Sequence, residues 1–238
     1  MLSHKQHGSY DMAEDVYAFI VAAPIFSWSF LFASYVIATK YIVYATLLNG
    51  IYFKELGGAD PAATAVKFFL IPVAIAMQSD LMAVYEYLAN VRYDKEVLTI
   101  SSHATFTKFV LAYILRLADG VLSLSVNFGV MLVTDEVLGV FLNFAALHFL
   151  QDIDDVFYSL VEKGFFGDRL EHMATICKQI SWPRRVGNED CWKSSFITSL
   201  DTILFTTTLV ILLSMFIAIT VRVEQGKSIL GYDLEGEE

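Results

Sequence analysis

Cysteine is nearly absent: the 238-residue chain has two, Cys177 and Cys191, in one polar stretch. Neither has a second Cys or His two to four positions away, so the common zinc-ligand spacings are excluded. Two thiols do not make a disulfide framework, and both are expected free. Basic residues are also scarce, with 16 Lys and Arg against 26 Asp and Glu, a formal charge of -10. That balance argues against nucleic acid, whose phosphates require Lys and Arg. The sequence carries no G-x-S-x-G, H-E-x-x-H, P-loop or G-x-G-x-x-G motif, so no catalytic residue and no cofactor is expected. Asp119-Gly120 opens like the motif of membrane phosphotransfer enzymes, but no Ala-Arg follows and the gap to later acids is wrong. The acids of "DIDD" (Asp152, Asp154 and Asp155) do not read as an aspartate-rich prenyl-diphosphate site. Internal repeats are missing, which does not support an inverted-repeat transporter within one chain. Met1 to Asp15 is polar and does not read as a cleavable signal peptide.

What is abundant is apolar surface. The chain is 56% hydrophobic with a mean hydropathy of +0.54, and the residues fall in long blocks. This predicts an all-α polytopic transmembrane bundle of about five spans. A polar segment, 1–15, precedes a single membrane domain, 16–238, with spans near 16–39, 65–91, 106–133, 137–162 and 194–221. The first block resumes after Lys40 as far as Phe53. A continuous helix over that range measures roughly 57 Å, against a hydrocarbon core of about 30 Å. It must therefore emerge, bend or lie along the interface after Lys40, or make an extra crossing. Pro72 is expected to kink the second span.

Lys5 lies before span one, and further bases gather between spans two and three and between spans four and five. By the positive-inside rule this places the N-terminus in the cytosol and the C-terminus outside. The Gly164–Lys193 loop, too short for a domain, would then be cytosolic. Span four starts apolar all round and turns amphipathic. At 100° per residue, Ile153, Val156, Phe157, Leu160 and Val161 occupy about 140° of arc. Asp155 and Glu162 lie opposite, and Asp152 and Asp154 flank the stripe. Span four thus reads as continuing into a cytosolic amphipathic extension ended by Gly164 and Gly167, with Phe165 and Phe166 as interfacial anchors.

Ionisable residues at membrane depth are costly and point to function or to tight pairing. The candidates for an intramembrane polar network or pathway are Asp80, Arg116, Asp119, Asn127, Asn143, His148, Asp152 and Asp155. His148, Asp152 and Asp155 share a face at i, i+4 and i+7, which favours Asp152 over Asp154 as a pathway residue. Arg116 must pair, with Asp119, Asp80 or Asp152 in reach. The competing reading makes the acids a solvated face and the rest an ion network that fixes helix packing.

The run Leu115 to Gly167 resembles a segment of uncharacterised multi-span membrane proteins of unicellular algae. The residues that carry the likeness are Asp119-Gly120, Leu142-Asn143-Phe144, Ala146, Phe149, Ile153-Asp154-Asp155 and Gly164-Phe165-Phe166-Gly167. The resemblance implies a hairpin of spans three and four that continues as an acidic helix, and it assigns no activity. Net acidity of the buried set tilts any pathway toward cations. The expectation is a cation channel or transport-type pore subunit in the lipid bilayer, acting as a homo-oligomer. Its rival is a non-conducting accessory or assembly subunit among other membrane subunits.

Overall fold

The computed structural model describes residues 9–51, 60–184 and 199–225. Cys191, the Gly57-Gly58 turn, the start of the fifth expected span and the acidic C-terminal tail lie outside them. The fold is an all-α polytopic helical bundle. Trp28–Asn49, Phe106–Val133 and Leu200–Glu224 are each long and apolar enough to cross a membrane. Two bent pairs, Pro61–Ala76 with Ser79–Asn90 and Val137–Gln151 with Ile153–Glu162, pass the same test together.

The first apolar block does not form one helix. A short helix, α1 (Val16–Ala22), has every residue buried, and the Asp15 carboxylate caps it by accepting from Tyr17 N and Ala18 N. The chain then breaks around Pro24 and Phe26, whose φ is 66°. Ser27 caps α2 (Trp28–Asn49) by accepting from Phe30 N at 3.2 Å. The crossing helix is therefore 28–49 rather than 16–39, and Lys40 lies within it. At 1.5 Å per residue its 22 residues measure about 33 Å, the length of one crossing, and residues 40–49 belong to this same helix.

The second block splits into α3 (Pro61–Ala76) and α4 (Ser79–Asn90), set at 51°. The bend falls at Met77-Gln78, not at Pro72, which α3 carries in its interior. Gln78 is buried and donates to Ser123 Oγ at 3.2 Å, which fixes the bend against the next span. After a four-residue helix, α5 (Val97–Ile100), α6 (Phe106–Val133) takes the predicted bounds. Span four is also bent, by 41°, into α7 (Val137–Gln151) and α8 (Ile153–Glu162). Gly164 and Gly167 take φ of 79° and 92° and end it, as their freedom from a Cβ allows. Phe166 packs on Phe32 and Phe157, while Phe165 is exposed. Helix α9 (Asp168–Lys178) follows, and α10 (Leu200–Glu224) closes the described chain with Phe216 as its one buried residue.

One end of the bundle is sewn together by backbone. Strand β1 (Ser9–Asp11) pairs antiparallel with β2 (Ser181–Pro183), Tyr10 opposite Trp182. Val91 bridges Arg184. The N-terminal segment, the start of the α4–α6 connection and the Ser181–Arg184 part of the polar loop therefore share one side. Helix α2 starts beside the start of α6, where Lys108 donates to Ala23 O, and Ile51 meets Gly129 near the far end of α6. The two run parallel, and each bent pair runs in the opposite direction. Two lysines close helix ends: Lys108 at the C-cap of α1, and Lys67 on Leu132 O at 3.2 Å at the end of α6. Carbonyls at a helix C-terminus lack intrahelical donors and attract cations.

Gly120 sets the spacing at the centre. A Cβ there would lie 2.9 Å from Leu81 N and 3.0 Å from its Cα, so α4 touches the backbone of α6. Gly120→Ala is expected to lower stability by about 1–3 kcal/mol, the usual range for overpacking, read as an earlier thermal transition in detergent. A second expectation concerns Cys177, which is 1% exposed on α9. Burial pushes its thiol pKa up, so the reactive thiolate is scarce. Maleimide should label Cys177 of a Cys191→Ser protein only on unfolding. Rapid labelling of the native chain would contradict this burial.

Candidate functional site

Intramembrane polar side chains must find partners inside the protein, and α6 shows the result. Its buried positions include Lys108, Arg116, Asp119, Ser123 and Asn127, which recur on one face. Phe106, Ile114 and Val121 point outward. The closest assembly of charge forms where this face meets α2, α4 and α8.

Lys40 is its hub. Nζ lies 2.6 Å from Asp119 Oδ2, 2.7 Å from Asp154 Oδ1 and 3.5 Å from Asp80 Oδ2. It also donates to Gln151 O at 2.9 Å. Gln151 is the last residue of α7, and carbonyls at a helix end lack intrahelical donors. The bend at Asp152 thus offers Lys40 a carbonyl and turns Asp154 toward it. Side-chain exposures are 1% for Lys40 and Asp119, 2% for Asp154 and 10% for Asp80.

Arg116 extends the cluster toward the strand-paired end. Its Nη2 donates to Asp15 Oδ2, and Nε lies 3.5 Å from Asp80 Oδ1. The guanidinium sits over the rings of Tyr17 and Tyr87, 5.1 and 5.6 Å from their centroids. Asp15 therefore both caps α1 and neutralises Arg116. A small cavity of about 30 Å³ adjoins this point, walled by Tyr17, Tyr87, Phe109, Trp182 and Arg116 among others.

Of the eight residues singled out in the sequence, Asp80, Arg116 and Asp119 come together here. Arg116 takes Asp15 and Asp80, not Asp119 or Asp152. Asn127 is buried on the same helix face, and its Oδ1 has no hydrogen-bond partner among the described residues. Asn143 serves the α6–α7 turn by donating to Thr134 Oγ1 at 3.0 Å. His148 and Asp152 do face each other, Nε2 to Oδ2 at 3.6 Å, but their side chains are 31% and 41% exposed. Asp155 is exposed. Asp154, and not Asp152, enters the buried cluster. Lys40, Asp154 and Asp15 were missed as members. The signal for Lys40 was its solitary charge inside an otherwise apolar block.

Among the described residues no group of three His, Cys, Asp or Glu is arranged to hold a metal ion. No family model matches this chain, and comparison with curated proteins and with solved structures finds no significant match.

Breaking a buried ion network strands its members, a loss of about 3–5 kcal/mol when one partner goes. Lys40→Met should cost that much at neutral pH. Asp152→Asn and Asp155→Asn should stay within about 0.5 kcal/mol, as surface changes do. Thermal unfolding of the four proteins in one detergent gives the comparison. Equal losses at Lys40 and Asp152 would contradict the placement of the cluster.

Proposed function

We propose that this chain is a transport-type membrane protein for cations, with the Lys40 cluster as its charge-handling centre. The observation that carries the reading is the convergence of Asp80, Asp119 and Asp154, from three different elements, on one positive charge between apolar helices. Buried charge costs several kcal/mol per ion unless paired, and carboxylates so assembled favour a cation over an anion. Lys40 is a tethered cation. Its flexible stem lets the ammonium withdraw and leave the carboxylates to another positive charge.

The centre is enclosed within one chain, so transport through it is gated by movement inside the protomer rather than by a wet axis between copies. The bends at Met77-Gln78 and Asp152, which flank Asp80 and Asp154, are where such movement has the least helix to disrupt. By the positive-inside rule, the end bearing the β1–β2 pair faces the cytosol. Oligomerisation then serves to cover α10 rather than to build the path.

One observation favours the rival reading, a non-conducting accessory subunit. Val210, Ile211, Met215 and Ile217 of α10 are all exposed, which leaves a broad apolar face to another chain or to lipid.

Proteoliposomes holding only this chain, loaded with dyes for H⁺, Na⁺ and K⁺, provide the test under an imposed potential. The parent should dissipate at least one cation gradient. Asp154→Asn should reduce that flux several-fold, and Asp152→Asn should leave it near the parent. Absence of flux for every cation in the parent would remove the transport reading and leave the accessory one.

A further inference from the structure

The charge count of the cluster is unbalanced. Asp15, Asp80, Asp119 and Asp154 face two bases, Lys40 and Arg116, and every one of these side chains is a tenth exposed or less. With all groups ionised, two negative charges are left over in a site nearly free of water. Among the described residues no other Lys or Arg is paired with these acids. Tyr41 and Tyr44 of α2, Tyr17 of α1 and Tyr87 of α4 are titratable groups close to the cluster. Asp155 of α8 and the His148–Asp152 pair stand outside, on the exposed side.

The excess also has an address. Asp119 Oδ2 is held by Lys40, but Asp119 Oδ1 is buried without a hydrogen-bond partner. Asp80 Oδ2 and Asp119 Oδ2 both lie against Lys40 Nζ, at 3.5 and 2.6 Å, neighbours because Gly120 lets Leu81 touch α6. Two carboxylates cannot hydrogen-bond to each other unless one carries a proton, since both are then acceptors only. Like carboxylates at one site do not both ionise readily. A metal ion fits poorly, because Lys40 Nζ already occupies the point where the three acids converge.

We propose that the Asp80–Asp119 pair holds one shared, exchangeable proton, and that the proton is the cation this site takes. The proposal rests on the transport reading only for its second half; the bound proton stands without it. Protonation forms an O–H bond from a carboxylate lone pair, with hydronium as donor (leaving water) and, on release, water as acceptor. The cavity of about 30 Å³ beside Arg116 is lined mostly by apolar and aromatic side chains, and Arg116, with Nε 3.5 Å from Asp80 Oδ1, is its charged wall. The shared proton satisfies Asp119 Oδ1 and brings the cluster nearer neutrality.

Infrared spectra of the full chain in lipid, at neutral pH in H₂O and D₂O, test this without any transport measurement. The parent should show the carbonyl stretch of a protonated carboxylic acid, shifted by deuteration. Asp80→Asn and Asp119→Asn keep the shape of the side chain and should each abolish or displace that band. Asp152→Asn should leave it unchanged, and Lys40→Met, which adds a further uncompensated acid, should strengthen it. A parent without the band, or a band lost only in Asp154→Asn, would overturn the proposal. A parent with the band but with no flux in proteoliposomes would keep the proton site and remove transport.

Discussion

Everything central in this bundle is arranged around one ammonium group with nowhere to go. Lys40 sits near the middle of a helix that must cross an apolar layer, and removing it from water costs several kcal/mol unless carboxylates surround it. Its three carboxylates come from residues 40, 79 and 114 positions away in sequence. Satisfying them fixes the contact of α4 with α6, the bend before α8 and the rotation of α2. The helix breaks at 77–78 and at 152 are consequences of this demand as much as of local sequence. Each puts an acid within reach of Nζ.

The cluster also joins two kinds of surroundings. On the Lys40 side, the acids lie between apolar helices. On the Arg116 side, they meet Tyr17, Tyr87 and the aromatic group of Phe109 and Trp182 beneath the β1–β2 pair. Asp80 belongs to both, 3.5 Å from each base. An ionic path thus runs from Asp15, near the surface strand, through Arg116 and Asp80 to Lys40, Asp119 and Asp154. Arg suits the outer position because its planar guanidinium stacks on rings and stays charged. Lys suits the inner one as a compact point charge that three acids can approach.

Much of the scaffold was legible in the sequence. The bounds of α6, the glycine stop after α8 and the presence of five apolar blocks follow from hydropathy and turn chemistry. The inward polar face of α6 follows from the cost of charge in lipid. What failed to show was direction. The apolar stripe of α8 could face neighbouring helices or lipid and its acids water or a polar interior; Val156 is exposed, while Asp154, Tyr158 and Val161 are buried. In a membrane bundle the apolar edge can face outward and the acidic edge inward, so amphipathicity alone does not say which is which. Lys40 was read as the end of a span for a related reason. A lone charge in an apolar run looks interfacial until its partners, far away in the chain, are known. The break at Pro24–Phe26 was hidden because apolar character continues across it.

The pairing of β1 with β2 carries an implication for biosynthesis. Ser9–Asp11 leaves the ribosome long before Ser181–Pro183, and Asp15 waits for Arg116 in the same way. Ser9–Asp11 must therefore wait unpaired, on the side that Ser181–Pro183 will later join, until the helices between them are in place. Long-range contacts of this kind form late and slowly. Helix α1, sealed on all sides in the finished protein, is accordingly exposed and apolar in the nascent one. A fusion or tag placed ahead of Ser9 acts on that waiting interval, and its effect would appear in the yield of folded protein rather than in the finished molecule.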